Sequence, residues 1–204
     1  MSVAGVVLAG GLSRRMGGGD KSLKILAGKT ILERVIARAL PQVAALVLNA
    51  NGEASRFARF GLPVVADSVG DFAGPLAGVL AGLDWAARAA PGTSFVASFP
   101  TDAPFFPLDL VKRLVEAVAD GQHDLACAAS GGWGQPAFGL WPMALREDLR
   151  RDLAQGARKV DLWTARYRLA RVEYPIEPYD PFFNVNSPED LAEAERICAL
   201  ADNA

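Results

Sequence analysis

The chain has 204 residues, 51% hydrophobic and 22% charged, and its 21 basic and 23 acidic side chains leave a net charge of −2. That length suits one domain able to bury a core without staples, and the charge balance gives no global reason to expect nucleic acid or an acidic membrane as a partner. One histidine, His123, excludes a multi-histidine zinc site, and Cys127 and Cys198 form no close pair of the kind that zinc and redox motifs need, so both read as core thiols of a reducing cytoplasm.

Short apolar runs alternate with longer amphipathic segments. Residues 3–8 form a continuous apolar run ending in Ala9-Gly10-Gly11, the pattern of a buried parallel strand entering a loop. Thr30-Ile-Leu-Glu33 predicts a capping box and a helix that stops before Pro41. Residues 44–48 predict a second strand, 54–60 a short helix and 62–66 a third strand, followed by a loop rich in Asp, Gly and Pro. Residues 76–89 read as helix, 94–99 as strand, and 107–120 as an amphipathic helix with Leu108, Val111, Leu114, Val115 and Val118 on one face. Strand–helix alternation up to residue 120 implies an open parallel α/β sheet.

The rhythm then changes. Residues 124–129 and 137–141 flank Ser130-Gly131-Gly132-Trp133-Gly134 and predict an antiparallel pair. Helical segments at 143–154 and 159–167, a strand at 169–174 and a helix start at Ser187-Pro188-Glu189-Asp190 complete the chain. A switch from parallel to mixed order opens a crevice beyond the strand ends, where ligands bind in such sheets. The N-terminus has no basic leader of a signal peptide, and 76–90, interrupted by Asp84 and Arg88, is no membrane span. A cytoplasmic protein is expected.

The most informative segment runs from Leu8 to Lys21. Five glycines lie within Gly10–Gly19, directly after the first strand, where the backbone can turn sharply and bring its N–H groups to an anion. Residues 1–30 carry Arg14, Arg15, Lys21, Lys24 and Lys29 against Asp20 alone, a local charge of +4. A polyphosphate site requires that excess. Two standard phosphate loops fail: Gly28-Lys29-Thr30 would need glycine where Leu23 stands, and Gly132-Trp-Gly-Gln-Pro-Ala137 runs into strand, not helix.

Leu8-Ala-Gly-Gly-Leu-Ser-Arg-Arg-Met-Gly17 followed by Asp20-Lys21 resembles the signature of sugar-nucleotide-type nucleotidyltransferases, and within them the molybdenum cofactor guanylyltransferases of the MobA family. The resemblance recurs at Leu48-Asn-Ala-Asn51, Ala66-Asp-Ser68, Gly74-Pro-Leu-Ala-Gly78, Pro100-Thr-Asp-Ala-Pro104 and Phe183-Asn-Val-Asn-Ser-Pro-Glu-Asp-Leu191. It implies a three-layer α/β/α sandwich with a Rossmann-like, mostly parallel sheet and a mixed C-terminal part. It also implies a single domain over 1–204, with a nucleotide-binding half over about 1–120 and an acceptor-binding half over about 121–204.

The implied reaction joins the GMP part of GTP to the terminal phosphate of molybdopterin, with or without its molybdenum, and releases pyrophosphate. By resemblance, Lys21, Arg15 and Asp102 are catalytic, and Asp102 holds Mg²⁺. Leu8, Ala9, Gly10, Gly11, Lys21, Asn49, Asp67 and Asp102 bind the nucleotide, and Asn184 and Asn186 the acceptor. Physical need agrees in part: charge building on the leaving pyrophosphate calls for loop N–H groups and a lysine, and Mg²⁺ is held by one or two carboxylates plus phosphate oxygens. An ionised phosphate nucleophile needs no general base.

Read without the resemblance, Asp67 is a turn residue ending a strand, and Asn184 and Asn186 are turn and capping residues. His123 reads as structural or solvent-facing. Trp133, Trp141 and Trp163 read as packing, with stacking on a pterin as the alternative. Gln135-Pro136 departs from the His-Pro often found at that place in the family. No spacing selects guanine over cytosine, so a cytidylyltransferase of the same fold and a non-catalytic nucleotide or cofactor binder remain alternatives. The expected partners are small molecules and, transiently, proteins of cofactor biosynthesis or molybdoenzyme maturation, with no nucleic acid or membrane; the chain is expected to be a monomer.

Overall fold

A computed structural model describes residues 1–9, 20–69 and 74–201. The chain runs β1 (Val3–Leu8), a two-strand ribbon β2 (Ile25–Leu26) and β3 (Lys29–Thr30), α1 (Ile31–Ala39), β4 (Ala45–Asn49), a 3₁₀ helix (Ala54–Phe60) and β5 (Val64–Val65). It continues with α2 (Pro75–Ala89), β6 (Phe95–Pro100), α3 (Leu110–Glu116), β7 (Leu125–Ser130), β8 (Trp133–Pro142), α4 (Arg146–Ala154), α5 (Val160–Thr164), β9 (Leu169–Tyr174) and α6 (Pro188–Ala201).

Seven strands form one sheet in the order β5-β4-β1-β6-β8-β7-β9. Every pairing is parallel except those of β8, which runs antiparallel to both β6 and β7. All six residues of β1 are buried, because parallel strands flank it and helices cover both faces. On one face α1 and α3 bury Val7, Leu48, Phe99, Phe106 and Leu114; on the other, α2, α4 and α5 bury Val6, Leu80, Trp141, Leu149 and Trp163. This is the mostly parallel three-layer sandwich expected. A third cluster of Leu26, Ile31, Phe105, Val185, Ala194 and Ile197 seats the ribbon and α6 beside the main sheet.

The Thr30–Glu33 capping box forms as read: Glu33 Oε2 accepts from the Thr30 backbone N–H at 2.6 Å, and Thr30 Oγ1 accepts from the Glu33 N–H at 3.1 Å. Several elements are shorter than their apolar patterns. The third strand shrinks to Val64–Val65 because Pro63 has no N–H to give a ladder. The amphipathic 107–120 segment is helical only over Leu110–Glu116, and Leu108, expected on its buried face, is 61% exposed. The β2–β3 ribbon was not foreseen; Ala27 and Gly28 turn it with φ of 44° and 78°.

One irregularity bears on the site. Along β7 the pairing steps from Cys127 to Ala128, while along β8 it steps from Gly139 to Gln135. Pro136, Ala137 and Phe138 therefore have no partner on β7, and Pro136 sits where its missing N–H costs no ladder bond. Among the described residues, no helix is long and apolar enough to cross a membrane.

Candidate active site

A cleft of about 310 Å³ opens at the carboxyl ends of β1, β4 and β6, lined by Leu8, Asn49, Asn51, Asp67, Thr101, Asp102 and Lys21, with Gly74, Pro75, Pro100 and Ala137. Its position follows from topology. The chain leaves β1 for β4 on one side and reaches β6 on the other, so the loops after these strands diverge and leave a crevice.

One wall is built from amides and a carboxylate. Asn49, only 4% exposed at the end of β4, donates to Asp67 Oδ1 at 2.9 Å and to the Val65 carbonyl at 3.3 Å. Asn51 donates to Asp67 Oδ2 at 2.8 Å and accepts from the Asp67 backbone N–H at 3.0 Å. Both oxygens of Asp67 are thereby oriented, and each keeps capacity for a further donor. Gly78 of α2 makes this possible: a Cβ there would fall 2.3 Å from Asn49 Oδ1 and 2.7 Å from Leu8 Cδ2. Arg56 ties the wall to the start of the Lys21 turn, donating to the Asn51 carbonyl at 2.7 Å and to Asp20 Oδ2 at 3.2 Å.

The opposite side carries charge. Lys21 Nζ donates to Asn186 Oδ1 at 2.6 Å and lies 3.7 Å from Asp102 Oδ2. Burial pulls the Lys21 pKa down from its ordinary value, while the Asp102 carboxylate and, more weakly, Asp190 act against that. The loop holding Asp102 is pinned at both ends. Thr101 donates its N–H and its hydroxyl to the Leu8 carbonyl at 3.3 and 3.2 Å, and the Asp102 carbonyl accepts from the Val185 N–H at 2.7 Å. Asp190 caps α6 by accepting from the Asn186 and Ser187 N–H groups at 2.8 and 2.9 Å, and these bonds hold its own pKa down.

Leu8, Lys21, Asn49, Asp67 and Asp102 thus meet in one cleft. Ala9 contributes its backbone, donating to the Asn49 carbonyl at 2.9 Å. Asn186 enters through Lys21, whereas Asn184 is exposed and outside the lining of the cleft. Gly10, Gly11 and Arg15 lie outside the described residues. Trp141 and Trp163 are core residues at 1% and 2% exposure, as the packing alternative has it; Trp133 is 78% exposed. His123 lies outside the cleft. Sequence reasoning assigned no role to Asn51, Arg56, Thr101 or Asp190. Two of these had a signal: Asn51 follows Asn49 at the two-residue spacing that keeps extended chain on one side, just past the end of β4, and Asp190 stands three residues after an N-cap serine.

A family model for the MobA-like NTP transferase domain matches residues 5–169. The chain is 58% identical over 197 residues to the molybdenum cofactor guanylyltransferase of Nitrobacter hamburgensis, covering 96% of this chain and 94% of the relative. It is 59% identical over 199 residues to the protein of that name from Rhodopseudomonas palustris BisB5, covering 97% and 94%. The chain belongs to the MobA-like NTP transferase family. It is a nucleotidyltransferase, and its fold matches that of the molybdopterin-guanine dinucleotide biosynthesis protein A of Archaeoglobus fulgidus, with a TM-score of 0.74 and 24% identity over 97% of this chain and 99% of that one. The Gln135-Pro136 departure lies inside the matched segment, where Gln135 pairs with Ala128 of β7 and Pro136 opens the unpaired stretch of β8.

Proposed function

We propose that this MobA-like protein transfers GMP from GTP to the terminal phosphate of molybdenum-loaded molybdopterin. The observation that carries the reading is the pairing, in one cleft, of the Lys21–Asp102 charge site with the Asn49–Asn51–Asp67 wall. Both highly similar relatives carry the corresponding name.

The wall suits the nucleoside. A carboxylate with both oxygens oriented accepts from adjacent N–H groups such as those on the edge of guanine. Lys21 is assigned to the leaving pyrophosphate, and its poorly solvated ammonium would strengthen a contact with phosphate. The acceptor phosphate is ionised near neutral pH and attacks the α-phosphorus without a base, consistent with the absence of histidine from the cleft lining.

Asp102 would hold Mg²⁺. Its carboxylate, 37% exposed in the cleft, is a hard oxygen donor, and among the described residues no group of three or more His, Cys, Asp or Glu forms a protein cage. That donor set fits a cation that keeps waters and takes its remaining ligands from phosphate. When bound, the metal would neutralise phosphate charge and orient the triphosphate. Asn184 and Asn186 are proposed to bind the acceptor, Asn186 beside Lys21, and the enzyme is proposed to work in the cytoplasm, where GTP is at hand.

The test is incubation with Mg²⁺, molybdenum-loaded molybdopterin and each of the four nucleoside triphosphates in turn, with products identified by mass. A guanine dinucleotide and pyrophosphate are expected. Product from CTP alone would move the assignment to a cytidylyltransferase, and nucleotide binding without turnover would make the protein a sensor.

A further inference from the structure

A second groove, of about 710 Å³, lies where β7, β8 and β9 face α5, lined by Cys127, Trp133, Pro136, Asp161, Tyr167 and Arg171 among others. It sits on the edge of the sheet that carries the nucleotide cleft, since β7 runs parallel to β9 and antiparallel to β8, as β6 does. A third cavity, around Met1, Pro41 and Leu108, is at the amino ends of the strands, away from the chemistry.

The groove's side chains are poised for a ligand. Trp133 follows the Gly131-Gly132 turn and leaves its indole 78% exposed, a large apolar surface in water. The Arg171 side chain makes no hydrogen bond or ion pair among the described residues, and its guanidinium lies along Gly134, where a Cβ would come 3.7 Å from Nε. Asp161 likewise has no ion pair there. An exposed aromatic face, an uncommitted guanidinium and a carboxylate in one concave space suit a planar, polar, anionic heterocycle.

Neighbouring residues of β8 line the groove and the cleft. Pro136 lines the groove and Ala137 lines the cleft, and both lie in the stretch of β8 that β7 leaves unpaired. On the proposed function a nucleoside triphosphate fills the cleft, so the ring system of a phosphorylated acceptor needs another compartment within reach of the α-phosphorus. We propose that this groove holds the ring system of the acceptor. Trp133 stacks on the heterocycle, Arg171 pairs with its anionic substituents, and Asp161 accepts from its N–H edge. The acceptor phosphate then crosses at Pro136-Ala137 into the cleft. This rests on the guanylyltransferase reading and assigns the ring to residues far in sequence from Asn184 and Asn186.

The experiment uses the full chain, Mg²⁺, GTP and molybdenum-loaded molybdopterin, and compares the parent with Trp133→Ala and Arg171→Gln, both exposed positions. Each variant should raise the KM for molybdopterin at least tenfold while the KM for GTP stays within twofold. Molybdopterin should also quench tryptophan emission in the parent without nucleotide, and Trp133→Phe should lose most of that quench while keeping acceptor KM nearer the parent than alanine does. Acceptor KM within twofold of the parent in both variants would overturn the proposal and leave guanylyl transfer standing. A parent that binds GTP but uses no molybdopterin would instead sink the transfer reading, and this proposal with it.

Discussion

Lys21 is held between opposing demands. Its ammonium needs charge partners, and it has Asn186 at 2.6 Å and Asp102 at 3.7 Å; its surroundings are poorly hydrated, and that burial lowers its pKa. A lysine so placed gains from an incoming polyphosphate more than an exposed one does. Lys21→Ala should therefore lower kcat/KM for GTP by roughly 10- to 150-fold, the equivalent of about 1.5–3 kcal/mol for a charged contact. The pH profile gives a second reading. Only the protonated ammonium serves phosphate, so kcat/KM should fall on the alkaline side, starting below the ordinary lysine value of 10.5 because the Lys21 pKa is lowered. Lys21→Arg should push that limb upward beyond the measurable range. A limb unmoved by arginine would assign the titration to another group.

Elements were legible where local chemistry and burial agree. The wholly apolar β1 and the Thr30–Glu33 box behave as their residues dictate, since each needs only its immediate neighbours. The β2–β3 ribbon was not, because strands of two residues have no period to read and the ribbon owes its place to packing with α6. The same division holds in the site. Asp102 and Lys21 stand after strong strand and glycine signals, whereas Arg56 acts through Asp20, 36 residues away, a meeting that only the tertiary fold arranges. A further long-range pair tests how β9 is anchored. Asp124, just before β7, accepts from the Arg168 N–H at 2.9 Å and from its guanidinium at 2.6 Å, while the Asp124 N–H donates to the Arg168 carbonyl. Arg168 thereby holds the Asp124 pKa at about 2, below 3.8. A carboxylate lowered on folding adds stability that is complete above its unfolded pKa and lost as pH falls through the folded one. Asp124→Asn should cost about 1 kcal/mol at pH 7, a figure reduced for solvent screening at a carboxylate one-third exposed. In urea unfolding, the gap between parent and variant should be about half as large at pH 3. A gap independent of pH would show that geometry, not charge, anchors the strand.

At the scale of the whole molecule, the site is a consequence of strand order. Four parallel strands, β5, β4, β1 and β6, place Leu8, Asn49 and Asp102 along one edge, and the antiparallel β8 closes the far side with Ala137. The two walls belong to segments distant in sequence: 45–67 supplies the amides and Asp67, 100–102 and 185–190 the charge site, and Lys21 joins them. A nucleotide that touches both walls must hold these segments together and so stabilise the fold by mass action. At 100 times its dissociation constant, Mg²⁺–GTP should add about 2.7 kcal/mol, which for a chain of this size raises the unfolding midpoint by roughly 5–11 °C. Asp67→Ala removes the acceptor from one wall while leaving Lys21 and Asp102 in place, so a thermal scan of that variant should show less than half the parent's shift with GTP. The parent should shift less with CTP than with GTP if Asp67 reads the base, because a carboxylate set to accept from two N–H groups on guanine would find no such pair on cytosine. Equal shifts with both nucleotides would mean that the cleft holds the triphosphate alone, and that base choice, if the enzyme makes one, is exercised after binding.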